Sequence, residues 1–355
     1  MNKPILIKLT IPGTKSKTPD SIALGKYLPS LSSSYRNCQF FLNDEVTNPD
    51  YWFIMDESLD TEKYNIDPAN VFFISAESML IADYVSPGSE LFLGQFGGVF
   101  SPHFIYLDKT EYTLPFQCWT VDAGYHTGFF DSSDLNYGFM SRNSPPKTKV
   151  LSIFCSSKGR SISDHENHRV RYRFVTKLKD HFKDKLDIFG NGINPISPKW
   201  KGLCDYKYTI TIENQSRNDI ITEKLYDSFL AECYPLYYGA PNTDQYFSKD
   251  SFSQINIADF KSSIKAIERA IDENLWERNY SQILESKQHC LNKYNWLMRI
   301  ANICIEKQAK NKMNEVSGPK LTTILSHAHF LSMERKFTKR EKLKRKFLKL
   351  VFVKR

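Results

Sequence analysis

The stretch Tyr206–Ser251, YKYTITIENQSRNDIITEKLYDSFLAECYPLYYGAPNTDQYFSKDS, holds a strand, a polar loop, a helix start and a second strand in one short run. Tyr208, Ile210 and Ile212 alternate with Lys207, Thr209 and Thr211, the period of a strand with one apolar face. The strand ends at Glu213-Asn214, and a polar loop from Gln215 to Ile221 leads to Thr222-Glu223-Lys224. There a helix opens, with Thr222 as N-cap and Leu225, Tyr226, Phe229 and Leu230 at helical spacing. A helix start carries unpaired N–H groups and about half a positive charge, so Lys224 beside it suits a diphosphate, and Glu223 is a carboxylate able to hold ribose hydroxyls. Tyr234–Tyr238 reads as the next strand. Gly239-Ala240-Pro241-Asn242 turns at its carboxyl end, where open α/β sheets place their ligands.

The surroundings extend this pattern. A Pro-Pro turn within Asn143–Lys149 precedes a new apolar strand at 150–155, then a helix at about 165–182, a strand at 186–189, and helical sequence from about 260 to 312. Before it, apolar runs at 5–11, 51–55, 71–75 and 104–107 alternate with polar or helical stretches, as in a parallel sheet with crossovers. The expected architecture is α/β with two Rossmann-like domains: 1–145, then 146–317 with its following helices, and a detached tail, 318–355, after the breaker Gly318-Pro319.

Charge is unevenly placed. The chain of 355 residues carries a formal +8, but from Arg335 to Arg355 there are eleven Lys or Arg and one acid, Glu341, so the rest of the chain is slightly acidic. Phe330, Met333, Phe337, Leu343, Phe347, Leu350 and Val351 form an imperfect helical stripe beside those cations, which reads as a membrane-surface helix over 330–355, the alternative being a solvated or disordered tail. No stacking platform or recognition motif accompanies the basic run, which argues against nucleic acid. Seven scattered cysteines without a C-x-x-C pair read as reduced thiols, and MNKPILIKLTI lacks an apolar run of signal or membrane-span length, so a cytoplasmic protein is expected.

Two further residues stand out. Arg171 falls near the middle of the apolar stripe Val170, Phe174, Val175, Leu178 and Phe182, where a guanidinium needs an anionic partner, either a bound anion or a carboxylate of the sheet. Glu77 follows the apolar strand Val71–Ser75 and could serve as a base or merely open a surface helix; Glu45, Asp56 and Glu57 compete with it.

The central stretch resembles the donor-binding motif of the glycosyltransferase family 10 α-1,3/1,4-fucosyltransferases. The matching positions are Tyr206-Lys207, Glu213-Asn214, Thr222-Glu223-Lys224, Pro235 to Asn242, and Ser251-Phe252. One aromatic position of that motif is Ile220 here, which removes a stacking surface. The resemblance implies a GT-B enzyme whose two domains face each other across a cleft, the first binding the acceptor and the second the donor. It implies that Arg171, with Arg169 as fallback, contacts the donor diphosphate together with Thr222 and Lys224. Asn214 and Glu223 would hold the nucleoside, Gly239 and Asn242 would lie at the donor site, and Glu77 would be the catalytic base. The donor would be GDP-fucose, with no metal or other cofactor, and the acceptor an oligosaccharide such as N-acetyllactosamine or a bacterial surface polysaccharide. Another GDP-sugar as donor, or an inactive relative that binds glycan or membrane, are the alternatives.

Overall fold

The computed structural model describes residues 3–11, 24–43, 46–58, 60–76, 87–103, 105, 107–123, 134–159, 161, 166–311 and 320–334. The chain divides into two compact units, one of residues 1–116 with 299–355 and the other of residues 117–298.

The first unit is built on β1 (Ile5–Thr10), β2 (Ser34–Tyr35), β3 (Cys38–Leu42), β4 (Tyr51–Met55), β6 (Val71–Ile74), β7 (Gly98–Ser101) and β8 (Thr110–Tyr112), in the order β2-β3-β1-β4-β6-β7-β8. Every pairing is parallel except that of β2 with β3. β4 and β6, YWFIM and VFFI, are buried along their whole length, because a parallel strand inside a sheet has both faces covered. Trp52, Ile54 and Phe73 pack with Phe92 and Phe96, which lie on or just beyond α1 (Pro87–Gly94). β5 (Glu62–Ile66) stands apart from this sheet.

The second unit holds a parallel sheet of five strands: β9 (Lys149–Phe154), β10 (Leu186–Phe189), β11 (Tyr206–Ile212), β12 (Tyr234–Tyr238) and β13 (Ser253–Gln254), ordered β10-β9-β11-β12-β13. A short α2 (Tyr137–Arg142) precedes it, α3 (Glu166–Phe182) connects β9 to β10, and α4 (Glu223–Leu230) connects β11 to β12. α5 (Phe260–Asp272), α6 (Leu275–Arg278) and α7 (Tyr280–Gln288) follow, and α8 (Trp296–Asn311) carries the chain back to the first unit. There β14 (Lys320–Ile324) pairs antiparallel with β5, and Phe330 of α9 (His327–Glu334) meets Phe92 of α1 edge-on at 6.2 Å. Two parallel-sheet α/β units are the make-up of the GT-B class.

The division differs from the boundaries expected at 145/146 and 317/318. The Pro145-Pro146 turn is internal to the second unit, because the segment before it is already tied there: Trp200 donates to the Val121 carbonyl at 2.7 Å and Tyr137 to Asn292 Oδ1 at 2.8 Å. Residues 320–334 are likewise no free tail, since β14 and α9 belong to the first unit. The run expected as a strand at 104–107 also differs, with Ile105 and Leu107 outside any strand while β7 and β8 flank them. The basic segment 335–355 lies outside the described residues.

Candidate functional site

The strand order of the second unit fixes where a ligand belongs. From β9 the chain moves one way to β10 and then, at β11, the other way to β12, so right-handed crossovers place α3 and α4 on opposite faces. The gap between the carboxyl ends of β9 and β11 is the topological switch point, where open parallel sheets bind ligands. Close backbone packing shapes one side of it. Cys155 and Ser157 donate to the carbonyls of Phe189 and Asn191 at 2.8 and 2.7 Å, and Gly190 has φ of +139° with any added Cβ only 2.1 Å from the Cys155 carbonyl oxygen. A side chain there has neither the backbone angle nor the space.

Glu213, one residue past β11, organises the other side. Its side chain is 1 % exposed and takes the Thr222 N–H at 2.9 Å and the Thr222 hydroxyl at 2.6 Å. Thr222 is the N-cap of α4, as the sequence indicates. Lys224 Nζ lies 2.9 Å from Glu223 Oε1, 3.1 Å from Thr222 Oγ1 and 3.4 Å from Glu213 Oε2. Burial works against the Lys224 charge, yet the Glu223 and Glu213 carboxylates outweigh it and hold its pKa above the usual value. Glu223 is also opposed by burial, but Lys224 and then Lys199 bring its carboxyl down to about 2. Burial dominates at Glu213 and raises its pKa.

Arg171 reaches the same place from α3. Its Nη1 donates to Asn214 Oδ1 at 3.1 Å, Nη2 sits 3.3 Å from His168 Nδ1, and Nε is buried without a partner. No carboxylate among the described residues pairs with it. Of the two readings open for a guanidinium in that helical stripe, the described residues supply no internal ion pair. Arg169 instead pairs with Glu166. Arg171 and Lys224 line one hollow of about 130 Å³, together with Phe154, Lys199, Glu223 and Ser228, and they repel each other across it. Two mutually repelling cations in one concavity are an arrangement that an anion stabilises.

The remaining positions divide. Asn242 ties its turn to the 215–221 loop, accepting from the Asp219 N–H at 2.9 Å and donating to Asp219 Oδ1 at 2.7 Å. Gly239 is a packing position: a Cβ there would meet Tyr237 Oη at 2.0 Å and Glu213 Cγ at 2.7 Å. Both hold the site's shape from behind and are not among the residues lining the hollow. Glu77 and Glu45 lie outside the described residues; Asp56, at the end of β4, accepts from the Ala76 N–H at 2.9 Å, and Glu57 is exposed. Sequence reasoning passed over Glu213 as a hub and over Lys199 and Asp227 altogether. An acid closing an apolar strand beside a Thr-Glu-Lys helix start was a signal for the first. The Lys199–Asp227 pair joins irregular sequence to a helix far along the chain and had none.

A cation-lined hollow at the switch point of a parallel sheet is the kind of site in which nucleotide-dependent α/β enzymes hold a diphosphate. Comparison with known proteins narrows the class: residues 155–318 match the family model described as glycosyltransferase family 10 (fucosyltransferase) C-terminal. The α-(1,3)-fucosyltransferase FucT of Helicobacter pylori is 33% identical over 66 residues, covering 19% of this chain and 13% of that protein. GDP-fucose protein O-fucosyltransferase 3 of Danio rerio is 30% identical over 114 residues, covering 32% and 23%. The chain thus spans less than a quarter of the length of these relatives. A solved α1,3-fucosyltransferase with GDP-fucose is similar over 81% of this chain and 90% of that one, at 15% identity and a TM-score of 0.45.

Proposed function

We propose that this protein is an inverting fucosyltransferase, moving L-fucose from GDP-β-L-fucose to a hydroxyl of an oligosaccharide, with an α-1,3 linkage to a glycan such as N-acetyllactosamine or a surface polysaccharide. The observation that supports it most is the meeting of Arg171 and Lys224 in one hollow beside the start of α4. A departing GDP carries its developing charge on the diphosphate, and fixed cations and backbone N–H groups in a partly buried site stabilise that charge. Glu223, on the hollow's lining, and Asn214, whose Oδ1 accepts from Arg171, contribute polar groups for the nucleoside. Glu77 takes the proton of the acceptor hydroxyl as that oxygen attacks the anomeric carbon from the face opposite the diphosphate, which inverts the linkage. The cations do the neutralising, so the reaction as proposed runs without a metal. Among the described residues no helix is long and apolar enough to cross a membrane; the basic tail is proposed to rest on an anionic membrane surface from the cytoplasmic side.

A glycan array incubated with radiolabelled GDP-fucose tests this reading. Label should appear on fucosylated products with the intact protein, and Glu77→Gln should retain GDP binding while turnover falls by about 100-fold or more. Binding of GDP-fucose without any turnover, even to water, would make the protein an inactive relative. Turnover with a different GDP-sugar alone would reassign the donor.

A further inference from the structure

Lys199 opens a short 3-10 helix, Lys199–Gly202, in the middle of the segment between β10 and β11, and nothing in its neighbourhood of sequence suggests a function. In the fold its Nζ lies 2.6 Å from Asp227 Oδ2, and the Asp227 side chain is fully buried while that of Lys199 is 19% exposed. Asp227 sits one helical turn after Glu223 on α4, and its other contacts are already taken, by the Thr120 N–H and the Thr120 hydroxyl, each at 2.7 Å. The backbone is locked to the same segment: Lys199 donates to the Ala123 carbonyl at 2.9 Å and Trp200 to that of Val121 at 2.7 Å. The ammonium also stands 5.5 Å from the Phe154 ring centroid, on the wall of the hollow that Arg171 and Lys224 share.

The charges are layered. The Asp227 and Glu213 side chains are 0% and 1% exposed, and each pairs with a lysine whose side chain is the more exposed partner, at 19% for Lys199 and 23% for Lys224. Buried carboxylates thus hold the more exposed lysines in place, and Glu223, 22% exposed, stands beside Lys224 on the same wall. Lys199 and Glu223 line the same hollow, and the lysine helps hold the Glu223 carboxyl below its usual pKa. A lysine is ordinarily a mobile point charge on a flexible stem, and here the mobility is removed before any ligand arrives.

We propose that Lys199 is a third phosphate-binding cation of the hollow, with Asp227 and Thr120 as the residues that position it. This rests on the reading of the hollow as a diphosphate site. A purely structural lysine would exist to neutralise Asp227; a binding lysine does that and also contributes to affinity for phosphate.

The double variant Lys199→Met/Asp227→Asn separates the two, because it removes both charges and leaves no buried ion without a partner. Titration calorimetry on the full chain would compare inorganic pyrophosphate, GDP and guanosine. The expected result is a loss of about tenfold or more in affinity for pyrophosphate and GDP, with guanosine affinity unchanged, and near-intact binding by Lys199→Arg. Pyrophosphate and GDP bound by the double variant as by the natural protein would overturn the role of Lys199 while leaving the diphosphate site standing. Failure of the natural protein to bind either would overturn both together.

Discussion

Glu213 accepts both the backbone N–H and the hydroxyl of Thr222, at 2.9 and 2.6 Å, so the end of β11 and the start of α4 are joined through one buried carboxylate. The acid lies outside the hollow's lining yet controls two things that face it, the direction of the α4 N-terminus and, through the 3.4 Å contact with Nζ, the Lys224 ammonium. Tyr237 adds a longer bond to the same carboxylate, 3.4 Å from its hydroxyl to Oε1.

Gly239→Ala tests how tightly this junction is packed. The new methyl would sit 2.0 Å from Tyr237 Oη and 2.7 Å from Glu213 Cγ, and Tyr237 is fully buried with nowhere to retreat. Overpacking of this kind costs about 1–3 kcal/mol, and displacement of a buried hydrogen-bonded carboxylate adds to it. Urea denaturation should show a clear fall in midpoint; a variant as stable as the parent would mean that the turn moves freely.

Arg171→Ala should weaken GDP far more than guanosine. Among the described residues its guanidinium has no carboxylate to neutralise, so its removal orphans none of their acids and the lost affinity reads the phosphate contact. Charge-assisted bonds of this kind are worth about 1.5–3 kcal/mol, a drop of roughly 10- to 150-fold. Equal losses for GDP and guanosine would assign Arg171 to the nucleoside, through Asn214.

Acid titration isolates Glu223. Its folded-state pKa of about 2 is below the ordinary 4.5, so its ionised form stabilises the fold above that value, and this contribution fades as pH falls from 4.5 toward 2. On the order of 2–3 kcal/mol is at stake, an upper figure because Glu213 shares Lys224 and its raised pKa works in the opposite direction. Glu223→Gln should therefore be less stable than the parent at pH 6–7 and approach it below about pH 4.5. A constant gap in denaturation midpoints across that range would remove the ion pair as its cause.

The second unit was the more legible of the two because its signals are local. The Tyr208, Ile210, Ile212 alternation, the Thr222 cap and the stripe through Phe174 and Leu178 each declare an element within a dozen residues, and β11, α4 and α3 lie where they indicate. β14 could not be read in this way. KLTTI is polar on one face and short, and its partner β5 lies some 250 positions earlier, so only tertiary pairing makes it a strand. The Pro145-Pro146 turn misled for a related reason: a break in local periodicity marks the end of an element, and whether a domain ends there depends on long-range bonds such as Thr120 to Asp227. That same pair explains why Lys199 carried no signal, since its chemistry is supplied by residues distant on both sides.

The pairing of β14 with β5 also sets an order of events during synthesis. The first unit is assembled from both ends of the chain, whereas residues 117–298 are contiguous and can complete their sheet while the remainder is still on the ribosome. At translation speeds of about 5–20 residues per second, β5 waits on the order of tens of seconds for its partner strand. Over that interval the edge of Glu62–Ile66 is open to other chains, and a nascent protein stalled before residue 320 would expose an unpaired strand although its second unit was finished.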